Sequence, residues 1–550
     1  MAARISCTSA CVACACLALI AGCSPQRYRE SADGEVYSIL ATKTQRVPGM
    51  AAGFTIEQSN EDVLAGCPRL ATPIGAEDTP ADAPDEAPLV ISLEKALEIA
   101  ALNSRDYQTQ KEALYLEALS LTLERHDFAP QLTGSADAGY DNTGLGNDEE
   151  VSGGADLGLS WLFATGTQVT VGLASGVSQF LTGDPRKAAA SMFNLSIAQP
   201  LLQGAGVPVN EPLIQAERDV IYEMRDFVRF RRRFFVNILS DYYGVLRERQ
   251  ILENERLNYE NLVVARRRAE LMADAGKLPE FQVDQTRQDE LRAEDRVESA
   301  QQSYESRLDE FKTTLGLPAE TALVLDASEL ERLGEQPGME LDWDVERAVA
   351  LALERRLDLA TARDRVADAE RKEEVARNDL LPGLDLSASL DADTDGANSP
   401  ADFHADGTDL SVGLELDLPL DKKGERNQYR SRLISLQQSQ RQYDETRDGI
   451  VLEVRDAWRQ HNRAMRSYEI QKASGLLAER RVKSTMLLLE AGRADTRDML
   501  EAHEALVQAQ NALARALVDY RVARLELARS TEIISVGAKG QLEENFDEHE

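Results

Sequence analysis

The stretch DLSVGLELDL, residues 409–418, alternates between apolar and polar side chains without interruption. Its apolar positions are Leu410, Val412, Leu414, Leu416 and Leu418, and its polar or small positions are Asp409, Ser411, Gly413, Glu415 and Asp417. A period of two, with one apolar and one acidic face, predicts a strand between water and either lipid or a protein core. A strand of about 9 to 11 residues crosses a bilayer at a tilt. The stretch therefore predicts a membrane-spanning strand, with a strand of a soluble sandwich as the alternative.

Similar stretches occur elsewhere in the chain. They are LDLSASL (384–390), DLGLSWLF (156–163), QVTVGL (168–173), FNLSIAQP (193–200) and a weaker one after Pro130. ATGT, residues 164–167, predicts a tight hairpin turn. The polar segments 141–151 and 183–191 are predicted to be loops at an outer mouth. So few strands cannot close a sheet within one chain, and lipid requires closure, so several chains are predicted to share one sheet.

Long helices are predicted between these strands. Residues 210–274 contain no proline after Pro212 and, as one helix, would extend roughly 100 Å. Segments 92–128 and 280–316 predict helices about half as long. The arrangement repeats later in the chain, with a long helix at 425–490 and two shorter ones at 344–380 and 494–530. A heptad seam continues through Met499, Ala502, Leu506, Ala509, Leu513, Ala516, Tyr520, Ala523 and Leu527. This seam favours a coiled coil over an ordinary amphipathic core helix.

The chain also indicates an internal repeat. Pro130 and Pro382 lie 252 residues apart, and at that offset Ala96 and Ala100 match Ala348 and Ala352. Gly276 and Gly492 lie 216 residues apart. We therefore predict two structural repeats, 89–330 and 331–534, each with the order helix, strands, very long helix, helix. The predicted fold class is α+β, with helical coiled coils and transmembrane strands.

The N-terminus has the charged and apolar regions of an export signal, predicted as residues 1–22. Ile20, Ala21, Gly22 and Cys23 resemble the lipobox of bacterial lipoproteins, which predicts a covalent lipid on Cys23. The alternative is an ordinary cleaved signal with an incidental cysteine. Residues 23–88 are predicted to be a lipid-anchored segment and linker, and 535–550 an acidic disordered tail. No role is assigned to Cys67.

Composition excludes several function classes. The formal net charge of -34 argues against nucleic acid as a partner. The histidines, His126, His404, His461, His503 and His549, lack the spacing of a metal site or catalytic triad. No phosphate-binding GxxxxGK[ST] loop is present. We therefore predict a protein that is not an enzyme and has no metal or cofactor other than the lipid.

The doubled order of motifs resembles a known family. The chain resembles TolC-type outer-membrane efflux proteins in three features: the motifs that begin each repeat at 93–103 and 345–355, the long helices, and LSIAQPLLQGAG (195–206). The lipobox is similar to the lipoprotein branch of that family. The resemblance covers 89–534. It implies a homotrimer with one barrel of strands in the outer membrane and a helical tube in the periplasm, joined by a periplasmic adaptor to an inner-membrane pump. The family barrel takes four strands per chain, whereas the hairpin at 155–177 is additional, so four and six strands both remain open.

The resemblance also implies candidate site residues. Asp498 and Glu501 match an acidic pair that lines the periplasmic constriction of the family, while the residues 216 positions earlier are Gln282 and Gln285. An exposed acidic pair without a role is the alternative. The helical hairpin tips, predicted to contact the adaptor, are Gly276, Lys277 and Leu278, and Gly492, Arg493 and Ala494. Leu278 and Pro279 depart from the family pattern at the first tip.

The predicted function is a passive duct in the outer membrane that exports small toxic compounds for a tripartite pump. One alternative is a duct for one-step (type I) protein secretion. A second alternative is a periplasmic coiled-coil scaffold lipoprotein without a pore, although a scaffold does not need lipid-facing strands.

Overall fold

The computed structural model describes residues 24–50, 53–57, 88–143, 148–182, 187–335, 344–394, 403–537 and 540–544. The helices are α1 (Pro25–Thr44), α2 (Leu93–Asn103), α3 (Arg105–Asp127), α4 (Val207–Asp274), α5 (Glu280–Thr314), α6 (Ser328–Glu335), α7 (Val345–Arg355), α8 (Leu357–Asn378), α9 (Lys423–Glu490) and α10 (Thr496–Ser530). The strands are β1 (Leu89–Ile91), β2 (Gln131–Thr143), β3 (Asp148–Leu162), β4 (Gln168–Phe180), β5 (Lys187–Pro200), β6 (Leu323–Leu325), β7 (Gly383–Thr394), β8 (Phe403–Asp417), β9 (Ile534–Val536) and β10 (Leu542–Glu544). Cys23 and Cys67 lie outside the described residues.

The long helices occupy the predicted segments. Helices α4 and α9 each contain 68 residues, and α5 and α10 each contain 35. All nine positions of the α10 seam are buried or half-buried, which confirms that this stripe faces other parts of the protein. Among the described residues, none of these helices combines the length and apolar character that a bilayer crossing requires.

The single helices predicted at 92–128 and 344–380 are each divided in two. The breaks fall at Ser104 and Arg356, whose ψ angles of 127° and 122° are extended rather than helical. At the second break the Arg356 guanidinium is buried and forms ion pairs with Asp358 at 2.7 Å and Glu453 at 2.6 Å. Glu453 lies 97 residues from Arg356 in the sequence, so helical periodicity does not reveal this contact at the break.

All predicted strands are present in one antiparallel sheet with the order β2-β3-β4-β5-β7-β8. Within the described residues the protomer therefore has six long strands, which decides between the two strand numbers left open by the sequence. The strands contain 12 to 15 residues, more than predicted. The predicted loops at 141–151 and 183–191 are partly wrong, because 141–143, 148–151 and 187–191 continue the strands. Tyr140 pairs with Val151, so the alternation extends beyond the predicted ends.

The register aligns like residues across the whole sheet. One row contains Leu132, Leu159, Val171, Leu195, Leu390 and Leu410, one residue from each strand. The adjacent row contains Thr133, Gly158, Gly172, Asn194, Asp391 and Asp409. Because successive side chains of a strand point to opposite faces, the first row lies on an apolar face and the second on a polar face.

Two small sheets were not predicted. Strands β1 and β6 pair in parallel, and β9 and β10 pair in antiparallel. The second pair shows that residues 542–544, which were predicted to be part of a disordered tail, form a strand. Helix α1 lies in the predicted linker segment.

The chain divides into two compact units, each built from separated segments. The first comprises Met1–Val47, Ala113–Met224 and Ala360–Glu445, and the second Pro48–Glu112, Arg225–Leu359 and Thr446–Glu550. The first unit contains the six-stranded sheet and ion pairs such as that of Arg371 with Glu211 at 2.7 Å. The second contains a hydrophobic core around Tyr242, Phe235 and Phe311. Each unit therefore takes segments from both halves of the sequence.

Candidate functional site at the helical hairpin tips

The two predicted tips have the same backbone geometry. Gly276 and Gly492 have φ angles of 69° and 68°, in the left-handed region that glycine adopts most readily. After α4, the Lys277 N–H donates to the Met272 carbonyl at 2.8 Å; after α9, the Arg493 N–H donates to the Leu488 carbonyl at 2.8 Å. This bond, together with that of the glycine N–H, forms a Schellman motif at each tip. The predicted role of both glycines in ending a helix is confirmed.

The tips differ in how the next helix begins. Pro279 is the residue before α5 and has no side chain that can accept a hydrogen bond. Asp495 stands before α10, and its N–H donates to the Asp498 carboxylate at 3.0 Å. Asp498 therefore stabilises the first turn of its own helix, as a carboxylate at this position of a capping box does. Lys277, Gly276, Gly492 and Arg493 are exposed, and Leu278 and Ala494 are half-buried.

Glu501 lies in the second turn of α10 and forms an ion pair with Arg481 of α9. Their atoms lie 2.8 Å apart, and the two side chains are 63% and 50% exposed. An ion pair this exposed contributes little to stability, so its carboxylate remains available for another function. The sequence pattern alone did not indicate Arg481. Arg481 and Glu501 lie ten positions before and after Ala491 at the turn. Because the two helices of a hairpin are antiparallel, residues equidistant from the tip lie opposite each other. This spacing is the signal that could have identified Arg481.

Glu501 and Gln285 line the same cleft, which has a volume of about 240 Å³. Its walls come from α4, α5 and α10, and they include Asn258, Leu262, Asp289, Arg292, Arg296, Arg497, Leu500 and Glu504. Burial raises the pKa of Asp289 above its usual range, although Arg292 opposes this effect. The structure thus places one predicted gate residue beside a residue from the matching position of the other hairpin.

A buried polar network lies farther along the same helices. The Asn254 side chain of α4 donates to Asn511 of α10 at 2.8 Å, and Asn511 donates to Glu255 at 2.8 Å. Arg296 of α5 pairs with Glu255 at 3.2 Å. Polar groups inside a helical interface fix the register of the helices, because another register would leave them unpaired. The sequence pattern does not reveal this network, since its members are separated by up to 257 residues.

Within the part of the chain that the structure describes, no group of three or more potential ligands could hold a metal ion. The candidate site therefore consists of two exposed turns and a charged cleft.

A family described as outer membrane efflux protein matches residues 348–531. The alkaline protease secretion protein AprF of Pseudomonas aeruginosa is 28% identical over 326 residues, which are 55% of this chain and 66% of AprF.

Solved structures share the fold. CusC, described as a transmembrane channel, has a TM-score of 0.59 and 14% identity over 84% of this chain and 99% of its own. The CmeC outer membrane channel of Campylobacter jejuni has a TM-score of 0.58 and 14% identity over 80% of this chain and 85% of its own. Identities this low show similarity of fold alone, while the family match adds similarity of sequence. The chain is therefore similar to the outer membrane efflux protein family over residues 348–531 and shares its fold with the channels CusC and CmeC.

Proposed function

We propose that the protein is the outer-membrane channel of a tripartite export system and carries small toxic compounds from a periplasmic adaptor and an inner-membrane pump to the exterior. The observation that carries this proposal is the six-stranded sheet, which has continuous apolar and polar rows and joins onto long helices. Such a sheet can face lipid on one side and water on the other. The protein acts as a passive duct, and the pump supplies the energy.

The duct is a homotrimer whose sheet closes only when three chains contribute strands. The two edges of the sheet, β2 and β8, support this proposal because an edge in lipid requires a partner. Each chain consists of two structural repeats. The equal lengths of α4 and α9, and of α5 and α10, support the repeat.

Asp498 and Glu501 form the periplasmic gate. Three chains bring six carboxylates together, and a ring of carboxylates attracts cations and repels anions. Gln282 and Gln285 at the matching positions are uncharged, so only the second hairpin supplies the charge.

The test is single-channel conductance of the detergent-purified mature protein in planar bilayers. Asp498→Asn combined with Glu501→Gln removes both charges while each side chain keeps an oxygen that can accept a hydrogen bond. We expect the wild type to prefer cations and the variant to lose that preference and conduct more. Gln282→Ala combined with Gln285→Ala is the matched control and should leave the selectivity unchanged. Channels that are identical in all three proteins would remove the gate assignment, and the absence of channels in folded protein would favour the scaffold alternative.

The exposed tips bind the adaptor. The contact residues are Gly276, Lys277 and Leu278 at the first tip and Gly492, Arg493 and Ala494 at the second. A photoreactive amino acid placed at Lys277 or Arg493 should form crosslinks to the adaptor in cells. The same photoreactive amino acid at Leu410 on the sheet is the control and should form no crosslink to the adaptor.

Cys23 carries the lipid. Labelled palmitate should be incorporated by the wild type and not by Cys23→Ala, and a label in both proteins would exclude Cys23 as the attachment site.

Type I protein secretion is the second candidate function, and the similarity to AprF favours it. Deletion of the gene separates the two functions. Loss of one secreted polypeptide with unchanged resistance to toxic compounds would support secretion, and the opposite result would support efflux.

A further inference from the structure

The strands β3 and β4 form a hairpin that belongs to the wall of the sheet. Leu159 and Val171 occupy the apolar row between Leu132 and Leu195, and Gly158 and Gly172 occupy the adjacent polar row. Both rows therefore continue through this hairpin without a change of face. A hairpin lying on top of a four-stranded sheet would interrupt these rows.

The two edge strands have the features of surfaces that await a partner. Leu132 on β2 is 78% exposed, and Leu410 and Val412 on β8 are 73% and 70% exposed, whereas Leu159 inside the sheet is 36% exposed. With six antiparallel strands, β8 runs opposite to β2. The β8 edge of one copy can therefore pair in antiparallel with the β2 edge of a second copy, and the apolar face continues across the seam.

We infer that the closed sheet of the assembly contains eighteen strands, six from each of three copies, with β8 of every copy paired to β2 of the next. This inference rests on the trimeric duct proposed above. It departs from the twelve strands that four per chain would give. Because the diameter of a closed sheet grows roughly linearly with strand number, the sheet segment is about 1.5 times as wide as one of twelve strands.

The polar face is suited to an open lumen. A cavity of about 290 Å³ lies against β2 to β5 and is lined by Asp156, Gly158, Gly172 and Asn194, among others. The small residues of β3 and β4 project little into the interior. Closed sheets of 16 to 18 strands generally enclose a water-filled channel. The sheet segment is therefore too wide to select cargo by size, and size selection falls to the helical end of the duct.

Disulfide mapping tests the seam. Cys67→Ala provides the background, and Val412→Cys on β8 is combined in turn with Leu132→Cys, Gly134→Cys, Ala136→Cys or Ala138→Cys on β2. Within one copy these edges are separated by five strand spacings of about 4.8 Å, too far for a disulfide, so any bond joins two copies. Val412→Cys alone is the control.

A second set combines Val412→Cys with Val169→Cys, Val171→Cys or Leu173→Cys on β4. Trimers crosslinked through β8 and β2 but not through β8 and β4 place β2 at the seam, as eighteen strands require. Trimers crosslinked through β8 and β4 would show that β2 and β3 lie outside the seam, which overturns this inference and keeps the proposed duct. A folded protein that forms no crosslink between copies in either set would overturn both.

Polymer exclusion gives an independent measurement. Polyethylene glycols of increasing size are added on the side of the sheet during conductance recording, with the wild type beside a variant that lacks residues 148–182. We expect the limiting polymer radius to fall by about one-third in the four-stranded variant. An unchanged limit in a conducting variant would overturn the inference, and the disulfide map decides it if the variant does not fold.

Discussion

Helices α5 and α10 both end in a residue with a left-handed backbone, but that residue is Gly316 after α5 and Glu532 after α10. Their φ angles are 76° and 55°, and the two positions lie 216 residues apart. The hydrogen bonds are also alike: Leu317 N–H donates to the Lys312 carbonyl at 2.9 Å, and Ile533 N–H donates to the Ala528 carbonyl at 3.0 Å. The two turns therefore share a backbone geometry and differ in the contacts that decide which residue occupies them.

Steric contact determines the residue at the first turn. A Cβ atom on Gly316 would overlap the backbone carbonyl of Asn103 at the end of α2. Backbone atoms cannot rotate away as a flexible side chain does. Only glycine allows α2 to approach this turn.

Electrostatic contact determines the residue at the second turn. The Glu532 carboxylate lies 2.8 Å from Arg232 and 3.5 Å from Arg229, and it accepts the Leu357 N–H at 3.3 Å. Leu357 is the first residue of α8, where a negative charge is favourable. Burial raises the pKa of Glu532 above its usual range, and the two arginines oppose this effect. A left-handed glutamate costs about 1 kcal/mol, which these contacts offset.

The largest expected effect comes from Gly316→Ala. Overlap with Asn103 and the left-handed backbone together should lower the free energy of unfolding by about 4 kcal/mol. The measurement is urea-induced unfolding of the detergent-purified protein. Gly276→Ala is the matched control, because φ is also positive there and no atom lies within 4 Å of the added Cβ. Equal losses in both variants would show that backbone strain, and not the approach of α2, requires Gly316.

Glu532→Gly tests the second turn and should have an intermediate effect. Loss of a partner from a buried ion pair costs about 3 kcal/mol, while removal of the left-handed strain returns about 1 kcal/mol. We expect a net loss of about 2 kcal/mol in the same unfolding measurement. Glu532→Ala keeps the strain and should be less stable than Glu532→Gly. A gain of stability in Glu532→Gly would mean that the arginine contacts do not compensate for the strained backbone.

The hairpin tips should show smaller and equal effects. Gly276→Ala and Gly492→Ala each place a Cβ in open space on a left-handed backbone, with an expected cost of about 1 kcal/mol. If the two losses of stability differ by more than about 1 kcal/mol, one tip is held by contacts with another chain.

The features that could be predicted from the sequence are local. Strands such as β8 were found because alternation repeats every two residues, and the tip glycines because a helix end requires a left-handed residue. The breaks at Ser104 and Arg356 interrupt segments whose helical pattern continues through them. Glu532 was not identified, because its partner Arg229 is about three hundred residues away in the sequence.

The candidate gate could be predicted only in part. The resemblance pointed to Asp498 and Glu501, and both lie near the tip as expected. The sequence did not show that Asp498 caps α10 or that Glu501 pairs with Arg481, because both contacts depend on the geometry of the turn. Position was predictable, whereas the partners of each carboxylate were not.

The smallest expected effect concerns a second matched pair, His461 on α9 and Val245 on α4, which are 3% and 0% exposed. Burial lowers the pKa of His461, and the Arg524 guanidinium lowers it further. The unfolded chain therefore binds a proton near pH 6.5 that the folded chain does not bind, so stability should fall as the pH drops below that value.

His461→Val makes α9 resemble α4 and should reduce the difference in unfolding free energy between pH 7.5 and pH 5.5 by about 1 kcal/mol. His126→Gln at an exposed position should leave the difference unchanged. His503, whose pKa is also lowered by burial, should contribute part of the remaining slope. If this difference in unfolding free energy is unaltered in His461→Val, the folded protein binds a proton at His461. Helices α9 and α4 would then not differ in their response to acid.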